Sequence, residues 1–194
     1  MSENLKPWKV ISTKQLLDCP PWFKVFSDDW LLPSGEVVKD FLRIEARDYV
    51  LIFAIDDDRQ VLLLKGYRPG CRDIVLQLPA GYVDDNDASV LDSAKRELLE
   101  ETGVIAETWH LLGSFVGDGN WKLGTFHCYL AQGLSPVDSE LPESDDPGKQ
   151  ILIWMSLEDV KAAWRAGQFG QAATVAAVSL AVDWLETSSH TIDE

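Results

Sequence analysis

The stretch Arg96-Glu97-Leu98-Leu99-Glu100-Glu101-Thr102-Gly103-Val104 carries three carboxylates in five positions. On a helix, Glu97, Glu100 and Glu101 stand at i, i+3 and i+4 and so share one face. Three like charges side by side repel one another, which weakens a free helix but suits the capture of a hard divalent cation. Oxygen ligands of this kind favour Mg2+ or Mn2+, and such ions bind and polarise phosphate oxygens. His110, His127 and His190 are too scattered to form a triad or a histidine-based metal site.

These glutamates need a helix, and the pattern predicts one over Ser89 to Thr102, ended by Gly103, a residue that takes left-handed dihedrals readily. Ahead of it, Tyr49 to Ile55 and Val61 to Lys65 read as apolar strands joined by the acidic turn Asp56-Asp57-Asp58. Ile74 to Leu78 reads as a short strand leading into Pro79-Ala80-Gly81. Trp109 to Val116, Thr125 to Ala131 and Gln150 to Met155 are further strands. Leu157 to Ala166 is predicted helical with Ser156 as N-cap and Glu158-Asp159 in the first turn. Gln171 to Glu186 reads as an Ala-rich apolar helix. Residues 8 to 47 hold short runs rich in Val, Phe, Trp and Ile, broken at Pro20-Pro21 and Pro33-Ser34-Gly35. Trp22 to Ser27, Asp29 to Leu32 and Val37 to Ile44 are expected as strands of a small antiparallel sheet, too small to be stable alone. Ser135 to Gly148 is a polar loop whose length and acidity fit an active-site loop.

The 194 residues suffice for one domain with a full core, or a domain with a small extension. A formal net charge of −15 disfavours nucleic acid and anionic membrane surfaces as partners, and requires local compensation wherever an anionic substrate is to bind. Cys19, Cys71 and Cys128 are widely spaced and odd in number, which points to a reduced, cytoplasmic setting. No apolar run of transmembrane length occurs, and residues 1 to 9 do not read as a signal peptide.

The order Arg-Glu-aliphatic-x-Glu-Glu-x-Gly-aliphatic over residues 96 to 104 resembles the second half of the sequence box of the Nudix hydrolases, enzymes that cleave pyrophosphates in nucleoside diphosphate derivatives. Leu78-Pro79-Ala80-Gly81 resembles the loop that opens that box. The resemblance implies an α/β fold of the Nudix type, an α/β/α sandwich with a mixed sheet, over residues 48 to 187. A small N-terminal antiparallel sheet (1 to 47), expected to serve dimerisation, would precede it, and a flexible tail (188 to 194) would follow. It implies Mg2+ or Mn2+ held by Glu97, Glu100, Glu101 and the backbone carbonyl of Ala80. Arg96 would orient the glutamates, and Gly81 would allow loop and helix to approach closely.

Lys65-Gly66-Tyr67-Arg68-Pro69-Gly70 is similar to a segment of the ADP-ribose pyrophosphatase branch whose Arg contacts the substrate diphosphate. This implies Arg68 as a phosphate clamp, and guanidinium geometry suits that role. The branch often draws its general base from an acidic loop before the last strand. Here that loop offers Glu140, Glu143, Asp145 and Asp146, with Asp145 and Asp146 matching best by position and Glu100 as the fallback. Gly119 falls in a loop expected to border the substrate, and Trp22, Trp30 and Trp121 are base-stacking candidates. Gly167-Gln168-Phe169 and the helix that follows resemble the C-terminal helix of the same branch, which implies a homodimer.

Two departures stand out. Gly81 to Arg96 is one residue longer than in the family and lacks its Glu, with Asp84, Asp85 and Asp87 as possible replacements. The Ser-Pro-Gly of the ADP-ribose branch is missing near Gly119. The expected substrate is therefore a nucleoside diphosphate derivative of the ADP-ribose type, with NADH or a dinucleoside polyphosphate as alternatives. A catalytically impaired nucleotide-binding regulator is the reading from a different class. It draws on the longer spacer and absent Glu, and the three intact glutamates oppose it.

Overall fold

The computed structural model describes residues 5–137 and 150–188. The chain divides into two compact units. One comprises the N-terminal residues to Arg47 together with Val116–Thr125, and the other comprises Asp48–Phe115 with the residues from Phe126 onward.

The first unit is a three-stranded antiparallel sheet in the order β1 (Lys9–Cys19), β2 (Phe23–Leu31), β3 (Val37–Ala46). The Ile44 amide donates to the Trp121 carbonyl at 2.7 Å, which ties the Val116–Thr125 segment to β3. Gly124, at φ 77°, lies so close to the chain that a Cβ there would stand 2.4 Å from the Arg47 carbonyl oxygen.

Two expectations are corrected in this unit. Lys9–Cys19 is a strand that the sequence reading passed over. Trp22 to Ser27 and Asp29 to Leu32 are not two strands: Phe23–Leu31 is continuous, and its pairing with β3 slips between Asp28 and Trp30. A bulge at that point interrupts the period-2 alternation that marks a strand in sequence, so one strand reads as two.

The second unit is a seven-stranded mixed sheet between helices. It contains β4 (Tyr49–Ile55), β5 (Gln60–Arg68), β6 (Asp73–Gln77), β7 (Ala80–Tyr82), α1 (Val90–Thr102), β8 (Val104–Val116), β9 (Thr125–Pro136), β10 (Ile151–Ser156), α2 (Leu157–Arg165) and α3 (Ala172–Ser188). The main order is β10-β5-β4-β9-β8, with β6 beside β5 and β7 beside β4; β4 and β9 run parallel. β4 shows why helices cover both faces. Val50, Ile52 and Ala54 pack with Ala94 and Leu98 of α1, while Leu51, Phe53 and Ile55 pack with Val160, Val178, Ala181 and Val182 of α2 and α3. A strand buried on both sides reads as a continuous apolar run, as β4 does. This is an α/β/α sandwich with a mixed sheet.

The remaining expectations differ mostly at element ends. β8 begins at Val104 rather than Trp109, and β9 runs through Pro136 rather than ending at Ala131. β7 was read as loop; at three residues it shows no periodicity of its own, and its pairing with β4 makes it a strand. The Ser156 hydroxyl accepts from the Asp159 amide at 3.1 Å and caps α2. No helix among the described residues is long and apolar enough to cross a membrane.

Candidate active site

α1 is defined by its ends and by one buried stripe. The Ser89 hydroxyl accepts from the Asp92 amide at 3.2 Å, satisfying one of the orphan donors of the first turn. Gly103, at φ 69°, closes the helix by donating its amide to the Leu99 carbonyl. Ala94, Leu98 and Thr102, spaced at i+4, are buried against the sheet. Glu97 and Glu101 each precede a member of that stripe, so the helix holds them at the margin of the core rather than out in solvent.

β7 brings the backbone to this margin. Its pairs Leu51↔Ala80 and Val50↔Gly81 place Ala80 and Gly81 beside β4. The Ala80 amide donates to Glu101 Oε2 at 2.8 Å. A Cβ on Gly81 would stand 1.9 Å from Glu97 Cδ, so only glycine lets the Glu97 carboxylate occupy its place.

Arg96 is the centre of the charged cluster. Nη1 donates to Glu97 Oε1 at 2.8 Å and to Glu100 Oε2 at 2.9 Å. Nη2 donates to Asp87 Oδ2 and to the Tyr82 carbonyl, each at 3.0 Å. Asp87, one of the three turn aspartates, is therefore an acceptor in the Arg96 network. Burial disfavours the Arg96 charge, but the hydrogen bonds Arg96 donates to Asp87, Glu97 and Glu100, with the Glu97 charge, together outweigh it and hold the pKa above the usual arginine value. Glu97 moves the other way. Its side chain is only 14% exposed, and burial raises its carboxyl pKa despite the Arg96 hydrogen bond. Asp87 is lowered, chiefly by its hydrogen bond to Arg96.

Among the described residues no three His, Cys, Asp or Glu side chains already converge as a ligand set. Glu97 and Glu100 turn to Arg96, and Glu101 turns to the Ala80 amide. The donors nevertheless fit a hard divalent cation. Three carboxylates surround one guanidinium, Glu97 is buried with its charged form disfavoured, and Gly81 leaves the room beside the backbone in which the Glu97 carboxylate lies.

Arg68 stands on the same face of the sheet as α1. Leu62 packs with Ala94 and Leu98, and the uninterrupted β5–β6 register carries that face on through Leu64 and Gly66 to Arg68. The sequence reading missed Gln77, which lies on this face opposite Leu64. Gln77 is 2% exposed, and its Oε1 accepts from Arg68 Nε and, at 3.4 Å, from Gln171 Nε2. The one signal in sequence was a polar residue inside the run Ile74-Val75-Leu76-Gln77-Leu78.

Gly119 belongs to the other unit, in a turn where Asp118 Oδ1 accepts from the Asn120 and Trp121 amides at 2.8 and 2.7 Å. Trp22, Trp30 and Trp121 lie there too; Trp30 packs edge-on against Trp8. Glu140, Glu143, Asp145, Asp146 and His190 lie outside the described residues. His110 packs on Trp184, and His127 Nδ1 shares a hydrogen bond with the Ser114 hydroxyl, so both have structural partners.

A mixed sheet between helices, with a carboxylate-bearing helix against a glycine-containing strand, defines an α/β/α sandwich whose charged cluster sits on one helix. The NUDIX domain pattern matches residues 45–174, about two thirds of the chain, which therefore belongs to the Nudix family. Within the family its likeness runs to the ADP-ribose pyrophosphatase branch. It is 24% identical over 135 residues to an ADP-ribose pyrophosphatase of Bacillus subtilis, covering 70% of this chain and 71% of that one. It is 28% identical over 138 residues to a methanol dehydrogenase activator of Bacillus methanolicus, covering 71% and 73%. The crystal structure of an ADP compounds hydrolase superimposes with a TM-score of 0.83 at 25% identity, covering 96% of this chain and 98% of that one.

Proposed function

We propose that this Nudix hydrolase splits the pyrophosphate bond of an ADP-ribose-type nucleotide, giving AMP and a sugar phosphate. The observation that carries the reading is the cluster on α1, in which Glu97 and Glu100 flank Arg96 while Glu101 engages the Ala80 amide. Glu97, Glu100, Glu101 and the Ala80 carbonyl would hold Mg2+ or Mn2+. Such an ion, when bound, neutralises diphosphate oxygens and acidifies a water molecule.

The chain's own groups supply the rest. Arg68, on the face of the sheet that carries α1, grips the diphosphate through paired N–H donors. Arg96 keeps Glu97 and Glu100 in fixed orientations, and Asp87 anchors Arg96 from the far side. Asp145 or Asp146, with Glu100 as the alternative, takes the proton from water as its oxygen attacks phosphorus; the bond from that phosphorus to the bridging oxygen breaks. Gly119 would border the substrate. The enzyme acts in the cytoplasm as a homodimer whose N-terminal sheet takes part in the interface, and sedimentation showing only monomer at micromolar concentration would count against that assembly.

The test is a panel of nucleoside diphosphate derivatives, including ADP-ribose, NADH and dinucleoside polyphosphates, with Mg2+ or Mn2+, scored by released phosphomonoester. Glu101→Gln should lower turnover by about a thousandfold, the equivalent of several kcal/mol of lost charge stabilisation. Its melting temperature should change little, because the amide oxygen can still accept from Ala80. Full activity in that variant would sink the proposed metal set. A non-catalytic regulator is the second reading, favoured by the likeness to the methanol dehydrogenase activator; it requires that no nucleotide on the panel be turned over.

A further inference from the structure

We propose that Gln77 is a positioning residue for Arg68, fixing the guanidinium toward the substrate diphosphate without adding a counter-charge; this rests on Arg68 being the phosphate clamp. Arg68 ends β5, where a long side chain has many rotamers open to it. Three features of the β5–β6 hairpin restrict it. Leu64, Gly66, Arg68, Val75 and Gln77 share one face, as the register pairs Leu64↔Gln77 and Gly66↔Val75 require. Gly66, between Arg68 and the level of Gln77, has no side chain, and its place is taken by Gln150, whose Cγ would stand 3.1 Å from a Cβ there. Gln77 Oε1 meets Arg68 Nε directly.

The same oxygen accepts from Gln171 Nε2 at 3.4 Å, just ahead of α3, so the acceptor is held from two sides. Gln77 Nε2, by contrast, is buried without a hydrogen-bond partner among the described residues. An idle buried donor opposes stability, and an apolar residue would remove that cost. What the amide contributes is its oxygen, and that oxygen is placed on the arginine.

The chemistry of the choice matters as well. A glutamate at position 77 would offer the same acceptor but would partly neutralise the guanidinium. A neutral amide fixes orientation through Nε without placing a negative charge beside the guanidinium that is to meet a dianionic diphosphate.

The experiment pairs kinetics with the arginine Nε–H region of a 15N–1H NMR spectrum of the full chain. The Arg68 signal is identified by its loss in Arg68→Lys. In Gln77→Met, which keeps the length and removes the acceptor, that signal should broaden or shift. KM for ADP-ribose should rise about tenfold, with kcat changed by less than about twofold. In Gln77→Glu the signal should stay sharp while KM still rises. In an Arg68→Ala background, Gln77→Met should add nothing to KM, because its effect runs through the arginine. Should Gln77→Met not fold, Gln77→Asn, which draws the acceptor back by one methylene, must give the same losses. An unchanged Arg68 signal in these variants, or a KM rise that persists in the Arg68→Ala background, overturns the proposal. A wild-type chain that turns over none of the nucleotides would instead sink the hydrolase reading, and the NMR result would still decide whether Gln77 holds Arg68.

Discussion

In the seven-stranded sheet, β4 buries every residue from Val50 to Ile55, whereas β1 of the three-stranded sheet buries none. On β1–β3 together the only fully buried residue is a charged one, Asp28. Trp22, Ile11, Leu17 and Leu42 are about half exposed there. The large sheet is therefore held by hydrophobic burial on two faces, and its site can sit on a rigid helix. The small one relies on backbone ladders and on Arg43, whose Nε donates to Asp28 Oδ2 at 2.6 Å and whose guanidinium lies 4.5 Å from the Phe26 ring centroid. Three strands with an open apolar face are marginal by themselves, so this sheet is the part of the molecule that gains most from being covered by something else.

The sharpest way to break this contrast is to make the same deletion in both sheets. Leu98→Ala empties a fully buried position between α1 and β4 and should cost about 2–5 kcal/mol of unfolding free energy. Leu42→Ala removes the same atoms from a side chain that is 50% exposed on β3 and should stay within about 0.5 kcal/mol. Both are to be read by denaturant unfolding at concentrations where the chain is monomeric. Equal losses would mean that the small sheet has a core the burial pattern does not reveal.

The next substitution reverses the contrast, because here the small sheet should be the fragile one. Arg43→Leu leaves Asp28 buried without its partner and should cost roughly 3 kcal/mol. Hydrogen exchange should show the loss in β1–β3 amides and not in β4. Acid should do the same to the wild type. Burial is the largest single influence and would raise the Asp28 pKa, but hydrogen bonds from Arg43 and Thr13 together with the Arg43 charge outweigh it, so the folded value lies below the ordinary 3.8. The unfolded chain then binds the proton first on acidification. The stabilisation is present above pH 3.8 and is lost as pH falls through the folded value. Protection factors in β1–β3 that are indifferent to pH over this window, once intrinsic exchange rates are divided out, would remove Asp28 from the account.

The same contrast explains what could be read from sequence. α1 was legible because its signals are local: Gly103 after the helix and glutamates at helical spacing; that Ser89 caps it rather than begins it came from the structure. β4 and β5 were legible because burial writes continuous apolar runs. Lys9–Cys19 was not, since an exposed strand has no apolar pattern to display, and its pairing with β2 slips twice, between Val10 and Ser12 and between Gln15 and Leu17. In the candidate site, Glu97, Glu100 and Glu101 could be proposed from sequence because all three stand on one helix at helical spacing. Asp87 was narrowed from three aspartates only by the path of the turn, and Gln77 depended on cross-strand register, which no spacing within one segment encodes.

The smallest expected effect tests whether the site depends on the ends of its helix or on the sheet beneath it. Ser89→Ala removes the N-cap of α1 and should cost about 1 kcal/mol. Fraying there loosens the first turn, while Arg96 and the glutamates lie two and three turns further on, over Ala94, Leu98 and Thr102. Unfolding free energy should therefore drop slightly while kcat and KM for the nucleotide stay unchanged. If Ser89→Ala instead lowers kcat severalfold at undiminished stability, the buried stripe does not by itself fix the glutamates. The loop from Tyr82 to Ser89, which contributes Asp87 and the Tyr82 carbonyl to Arg96, would then be part of the device that aims them.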